Sequence, residues 1–228
     1  MNNPIKKHRA IHEQVHELIK ERIIQGDYQP NQRLYEAHLA KELSVSRSPV
    51  REAIRILEQE GLINQDKQSR LYVYSPGPVD VEQIYQCREV LESLAASLSA
   101  DNATKKQLDE ILATAVASHD YIMADRNEDK HRLIELNSLF HDLIIRSSQN
   151  RRLLKQLDNL RTLTFIYRRM NIHDENRRRE IAEQHVRIAE FLVNREGDQA
   201  SSLMREHIAS DKRFLMTILK SQKNSLNE

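Results

Sequence analysis

The run from Ser44 to Leu62, Ser-Val-Ser-Arg-Ser-Pro-Val-Arg-Glu-Ala-Ile-Arg-Ile-Leu-Glu-Gln-Glu-Gly-Leu, leaves few local conformations open. Ser46 is placed as a helix N-cap, with a hydroxyl able to accept from an orphaned backbone N–H. Pro49 falls in the first turn, where its missing N–H costs nothing. Val50, Ala53, Ile54 and Leu57 recur at the i, i+3, i+4, i+7 spacing of a buried face, and Gly61 suits the position just past the C-cap. Arg47, Arg51 and Arg55 share a different face at i, i+4, i+8. Such a helix fits a DNA major groove, where arginine reaches guanine edges and Ser46 and Ser48 bond phosphates or bases. An ordinary amphipathic helix with a solvated charged face has the same pattern, and this stretch alone does not separate the two.

Its neighbours add to the first reading. Residues 8–25 predict a helix with Ile11, Val15, Leu18, Ile19 and Arg22–Ile23 on its apolar side, closed by a turn at Gly26–Asn31. Residues 35–43 predict a second helix burying Leu39, Ala40 and Leu43. The three-residue turn Ser44-Val45-Ser46 then makes a helix-turn-helix, whose second helix enters the groove. Leu62-Ile63 and Leu71–Tyr74 read as strands around a polar tip, Gln65–Arg70, that carries Lys67 and Arg70. That is the wing of a winged helix-turn-helix.

Ser75-Pro76-Gly77-Pro78 is the expected boundary between a DNA-binding domain, residues 1–75, and a second domain, residues 79–222. Beyond it helices are expected near 79–100, 104–125, 128–147, 150–171, 175–195 and 198–222, with breaks that include Asp125-Arg126-Asn127. With 4 Gly, 5 Pro and 5% aromatic residues, the expected fold class is mainly α: a winged helix-turn-helix followed by an all-helical bundle of about six helices. Residues 1–75 carry 12 Lys and Arg against 10 Asp and Glu, so DNA contact must come from local clusters rather than bulk charge. A single cysteine, Cys87, excludes an intramolecular disulfide and is read as packing. No apolar run approaches the ~18 residues of a membrane span and no signal-peptide core follows Met1, so the cytoplasm is the expected compartment.

In the bundle, Asn137 and His141 lie one helical turn apart and so project from one face. His185 and His207 lie on two later helices, each among apolar neighbours. Convergence of the three imidazoles with one oxygen ligand would suit Zn²⁺ or a similar first-row divalent ion. Nothing in spacing picks these three from the chain's 10 histidines, and ordinary hydrogen-bonded histidines remain the alternative. Arg88, turned inward with Ile84 and Leu91, is expected to hold either an acidic ligand or an inter-helix salt bridge. Arg168-Arg169 and Arg177-Arg178-Arg179 read as a solvated basic face, and no carboxylate is placed as a general base.

Both halves together resemble the GntR superfamily of bacterial transcription regulators, in its FadR-type branch with an FCD effector domain. The resemblance rests on Leu34-Tyr35-Glu36, Leu39-Ala40, Val45–Ala53 and Leu57–Leu62 in the first domain. In the second it rests on Arg88–Glu92, Asn137 with Phe140-His141, Asn150–Leu154, Glu183-Gln184-His185, Gly197-Asp198 and Met204–His207. It implies DNA contacts by Arg47 and Arg51, helped by Ser46 and Ser48. It also implies a metal set of Asn137, His141, His185 and His207, zinc first with nickel or manganese as alternatives. Asn137 stands where the family has aspartate, and the wing lacks the family's glycine, with Arg70 near that place. The function implied is a homodimeric, ligand-responsive regulator, most often a repressor, on a pseudo-palindromic double-stranded operator, with a small carboxylate effector. Two other readings stay open: a metal-dependent enzyme with a DNA-binding appendage, and a regulator whose bundle only dimerises.

Overall fold

The computed structural model describes residues 9–124 and 130–225, and the chain divides at Pro76–Gly77 into two compact units. The break expected at Asp125-Arg126-Asn127 lies outside the described residues. Among the described residues, no helix is long and apolar enough to cross a membrane.

The first unit runs α1 (Ile11–Gln25), β1 (Arg33–Leu34), α2 (Glu36–Glu42), α3 (Arg47–Gln59), β2 (Ile63–Gln65) and β3 (Leu71–Val73). α1 packs on α3, whose Val50, Ala53, Ile54 and Leu57 are buried as their spacing predicts. On α1 the buried stripe is Val15, Ile19 and Ile23, while Ile11 and Leu18 are exposed, contrary to expectation. With 100° between successive residues, both fall on the outer flank of an i, i+4, i+8 line. His16 occupies the inner flank and bonds the Glu60 carboxylate at 3.0 Å. Gly61 takes the left-handed φ of 74° that the α3 terminus requires.

The strands form an antiparallel sheet in the order β1-β3-β2, with Ile63 opposite Val73 and Leu34 opposite Leu71. β1 has two residues, too few for a periodic signal. The wing needs no glycine: Ser69 supplies the left-handed residue at φ 58°, and Asp66 ties the tip by accepting from the backbone N–H groups of Gln68 and Arg70, both at 2.9 Å.

The second unit contains α4 (Pro78–Asn102), α5 (Lys105–Met123), α6 (Lys130–Ser147), α7 (Arg151–Asp158), α8 (Arg161–Asn171), α9 (Glu175–Val193) and α10 (Gly197–Ser225). Pro78 opens α4 at its first turn, Thr104 and Gln107 form a capping box on α5, and Asn150 and Asp174 cap α7 and α9. α10 lies along α4, and α5 packs against α9 and α6. The single helix expected over 150–171 is two helices, broken at Asn159–Leu160. The apolar rhythm continues from Leu153 and Leu157 into Thr164 and Tyr167, so periodicity carries no mark of the break. Thr164, Tyr167, Arg168 and Asn171 of α8 face the interior.

Candidate functional site

α6, α9 and α10 each contribute one imidazole to a common point. His141, His185 and His207 are at most 1% exposed, and one ring nitrogen from each lies within 4.8 Å of the others. The Nε2 atoms of His185 and His207 are 3.2 Å apart. Nδ1 of His207 is 2.8 Å from Oε1 of Gln184; donating there turns its Nε2 lone pair inward. Nδ1 of His141 stands 2.6 Å from Oε2 of Glu92, and its Nε2 has no partner. Phe140, one residue before His141, stacks on His185 with ring centroids 4.0 Å apart. Asn137, one turn before His141, is buried with Oδ1 unpartnered.

Burial holds these rings neutral. It pushes His207 down to about 3 and His185 well below the usual imidazole range, with the neighbouring histidines adding to the effect. For His141 burial acts first and repulsion from Arg168 second, while Glu92 opposes both. Neutral imidazole is the ligating form. Three inward nitrogens are a donor set that fits a first-row divalent cation, and Glu92 and Gln184 would orient His141 and His207 toward it from behind.

Glu92 is a residue the sequence reading missed. Its Oε1 accepts from Nε of Arg88 at 2.6 Å, so one buried carboxylate joins Arg88 to His141. The Arg88 ion pair is therefore within α4, not between helices. The i, i+4 spacing of Arg88 and Glu92 was the available signal. Arg88 and His141 hold the Glu92 carboxyl well below the usual range although burial alone would raise it. A carboxylate so committed is a poor general base, and this weighs against the enzyme reading. Glu92→Gln is expected to keep the fold and weaken zinc binding by about 10–100-fold, measured by competition with a chromogenic chelator.

Other expectations need correction. Arg168, Arg177 and Arg178 are buried rather than solvated, because the ends of α8 and α9 turn them inward. Arg177 meets Asp211 at 2.7 Å and Arg178 donates to the Ile172 carbonyl at 3.1 Å. Cys87 is exposed and packs against nothing in the core, since α4 turns Ile84, Tyr85 and Arg88 inward instead.

On the first unit, Ser46, Arg47, Ser48 and Arg51 lie exposed around the N-terminal half of α3, and Arg55 lies exposed one turn further along. Ser46 stands at the N-cap position, yet its hydroxyl makes no capping bond and stays available to another acceptor or donor. Arg51 reaches Glu36 on α2, Nη2 to Oε2 3.2 Å, and Arg70 is bound to Asp66 at 2.6 Å on the wing.

Residues 11–73 match the gntR family of bacterial regulatory proteins and residues 83–210 match the FCD domain. The HTH-type transcriptional regulator YdhC of Bacillus subtilis (strain 168) is 32% identical over 212 residues, 93% of this chain and 94% of that protein. The Glc operon transcriptional activator of Escherichia coli (strain K12) is 28% identical across 92% of this chain and 91% of its own length. The HTH-type transcriptional repressor RspR of the same organism is 24% identical across 87% and 86%. Among solved structures, Escherichia coli McbR/YncC shares the fold at a TM-score of 0.73 and 22% identity, over 95% of this chain and 100% of that one.

Proposed function

Since the chain belongs to the GntR family of bacterial regulatory proteins and carries its FCD domain, we propose that this DNA-binding transcriptional regulator is switched by a small carboxylate held in the helical unit beside a divalent metal. The observation that carries the reading is the convergence of His141, His185 and His207; the buried, unpartnered Oδ1 of Asn137, one turn before His141, supports it. Zinc, or alternatively nickel or manganese, would supply there a Lewis-acidic anchor for an anionic oxygen. Glu92 and Gln184 fix the orientation of His141 and His207. Arg88, fully buried with Nη1 and Nη2 unpartnered, supplies a cationic donor for the effector's acid group. A ligand that binds one arrangement of the bundle more tightly biases the protein toward it.

The regulator acts as a homodimer on a pseudo-palindromic operator, one α3 per half-site. Support comes from α4, where Cys87, Val90 and Leu94 recur at i, i+3, i+7; Val90 is 54% and Leu94 44% exposed, an apolar strip suited to a second copy. Arg47 and Arg51 read bases or phosphates, Ser46 and Ser48 add hydrogen bonds, and Arg70 contacts the backbone from the wing. Repression is the sign we propose; with both an activator and a repressor among the relatives, operator position sets it.

The test is fluorescence anisotropy on an operator obtained by in vitro selection, with metal-free protein, zinc-loaded protein, and zinc-loaded protein plus a panel of small organic acids. At least one acid is expected to change operator affinity about tenfold or more, a coupling of about 1.4 kcal/mol. Identical affinities in all three states would leave the helical unit as a dimerisation module. On the same operator, Arg51→Ala is expected to cost about 1–3 kcal/mol of specific binding while sparing non-specific binding. An unchanged titration would remove Arg51 from the reading surface.

A further inference from the structure

Beside the histidines, the interior of the helical unit holds a cationic group with too little negative charge to balance it. Arg88 on α4 is 0% exposed and Arg168 on α8 is 4% exposed. Nη1 and Nη2 of Arg88, Nε of Arg168, both amide atoms of Asn171 and the Tyr85 hydroxyl have no partner. Asn171 follows Arg168 by three residues and shares its face of α8. Three carboxylates act on this pair, and all are engaged. Glu92 is divided between Arg88 and His141, Asp142 is paired with Arg161, and Asp211 is paired with Arg177. Arg168 and Arg88 are close enough to repel, and with burial this pushes Arg168 down to about 10, so both remain charged at neutral pH. A buried cation without its counter-charge is expensive. An anion arriving from solution would complete the site, and a cleft of about 410 Å³ between α6 and α8 has Arg168 in its wall.

The two anchoring regions are close together. The Glu92 carboxylate spans from Arg88 Nε at 2.6 Å to His141 Nδ1 at 2.6 Å, so the arginine end and the histidine end stand one carboxylate and one imidazole apart. A single acid group at the histidine end leaves Arg168 and Asn171 without a partner. We propose that the effector is a short dicarboxylate, one acid group directed to the histidines and the other to Arg88, Arg168 and Asn171, with Arg168 selecting two-acid ligands over one-acid ligands. This rests on the acid-sensing reading given above and narrows its ligand.

The experiment is isothermal titration calorimetry of zinc-loaded full-length protein with malonate, succinate and glutarate, against butyrate, which matches succinate in length but carries one acid. At least one dicarboxylate is expected to bind about tenfold or more tighter than butyrate. In Arg168→Gln the preference closes to about threefold or less, because the dicarboxylate loses more affinity than butyrate does, and the protein still binds zinc. A second readout needs no ligand. Removing an uncompensated buried cation raises the melting temperature of the ligand-free protein by ~2–4 °C or more, whereas loss of a structural arginine lowers it. Equal affinity for one-acid and two-acid ligands, a preference that survives Arg168→Gln, or a lowered melting temperature overturns the dicarboxylate assignment and leaves acid sensing standing. No binding by any of the four acids overturns both.

Discussion

His185→Ala is expected to abolish metal binding by the helical unit. His185 stands at the centre of the cluster: its Nε2 is 3.2 Å from that of His207, and its ring centroid is 5.1 Å from that of His141. Three inward nitrogens are the minimum that protein ligands supply to an open zinc site, and two histidines with a neutral amide oxygen fall short of it. After zinc loading and dialysis, elemental analysis should give close to one zinc per chain in the unaltered protein and about a tenth of that or less in the variant. The stability gained from zinc should vanish with it; a ligand at a hundredfold excess over its Kd contributes about 2.7 kcal/mol. His131→Ala removes an exposed histidine on α6, side chain 57% accessible, and is expected to change neither quantity. A zinc-dependent thermal shift that persists in His185→Ala would take this residue out of the site.

The second large effect is acid lability of the metal-free protein. Histidine in the unfolded chain titrates near 6.5, whereas burial in the folded protein holds His207 at about 3, His185 well below its usual range and His141 lowered. Between the two values the unfolded state binds more protons, so each histidine contributes stability that is present above pH ~6.5 and is lost as pH falls from there toward the folded value. The slope is at most ~1.4 kcal/mol per pH unit for each histidine. Glu92 and Asp211, also lowered, act in the same direction, but only once pH falls into the carboxylate range. Urea denaturation in the presence of chelator at pH 7.5, 6.5 and 5.5 should show a falling midpoint, flattened in His207→Gln. A midpoint constant across that range would mean that the rings are not held neutral by burial.

The winged helix-turn-helix was legible almost residue by residue because its signals are local. Val50, Ala53, Ile54 and Leu57 announce the buried face of α3, and Gly61 its end, through spacing and conformational preference alone. The failures there have geometric causes. Leu18 is apolar yet exposed because His16 takes the inner flank of α1 to meet Glu60. The Ser46 hydroxyl does not cap although the residue sits at the cap position. The wing turns through Ser69 where a glycine was the expected device.

In the helical unit the histidines were legible as candidates and no further. Glu92 escaped notice because a carboxylate one turn from an arginine looks like any surface pair. Arg168 reads as solvated beside Arg169 in the sequence, because adjacent residues differ in burial only once a helix has a partner. Thr164, Tyr167, Arg168 and Asn171 share one face of α8, and only its packing shows that this is the buried face.

By itself the sequence determined most of the helices and their apolar faces, the turn and wing around α3, and the family to which the chain belongs. Those properties depend on residues a few positions apart, where backbone geometry fixes who faces whom. Only the tertiary structure decided that His141, His185 and His207 meet, that Glu92 bridges Arg88 to His141, and that Arg168 lies buried near them. Those juxtapositions join helices far apart in the chain, and the crossing of packed helices, not the spacing of residues, sets which side chains share an interior.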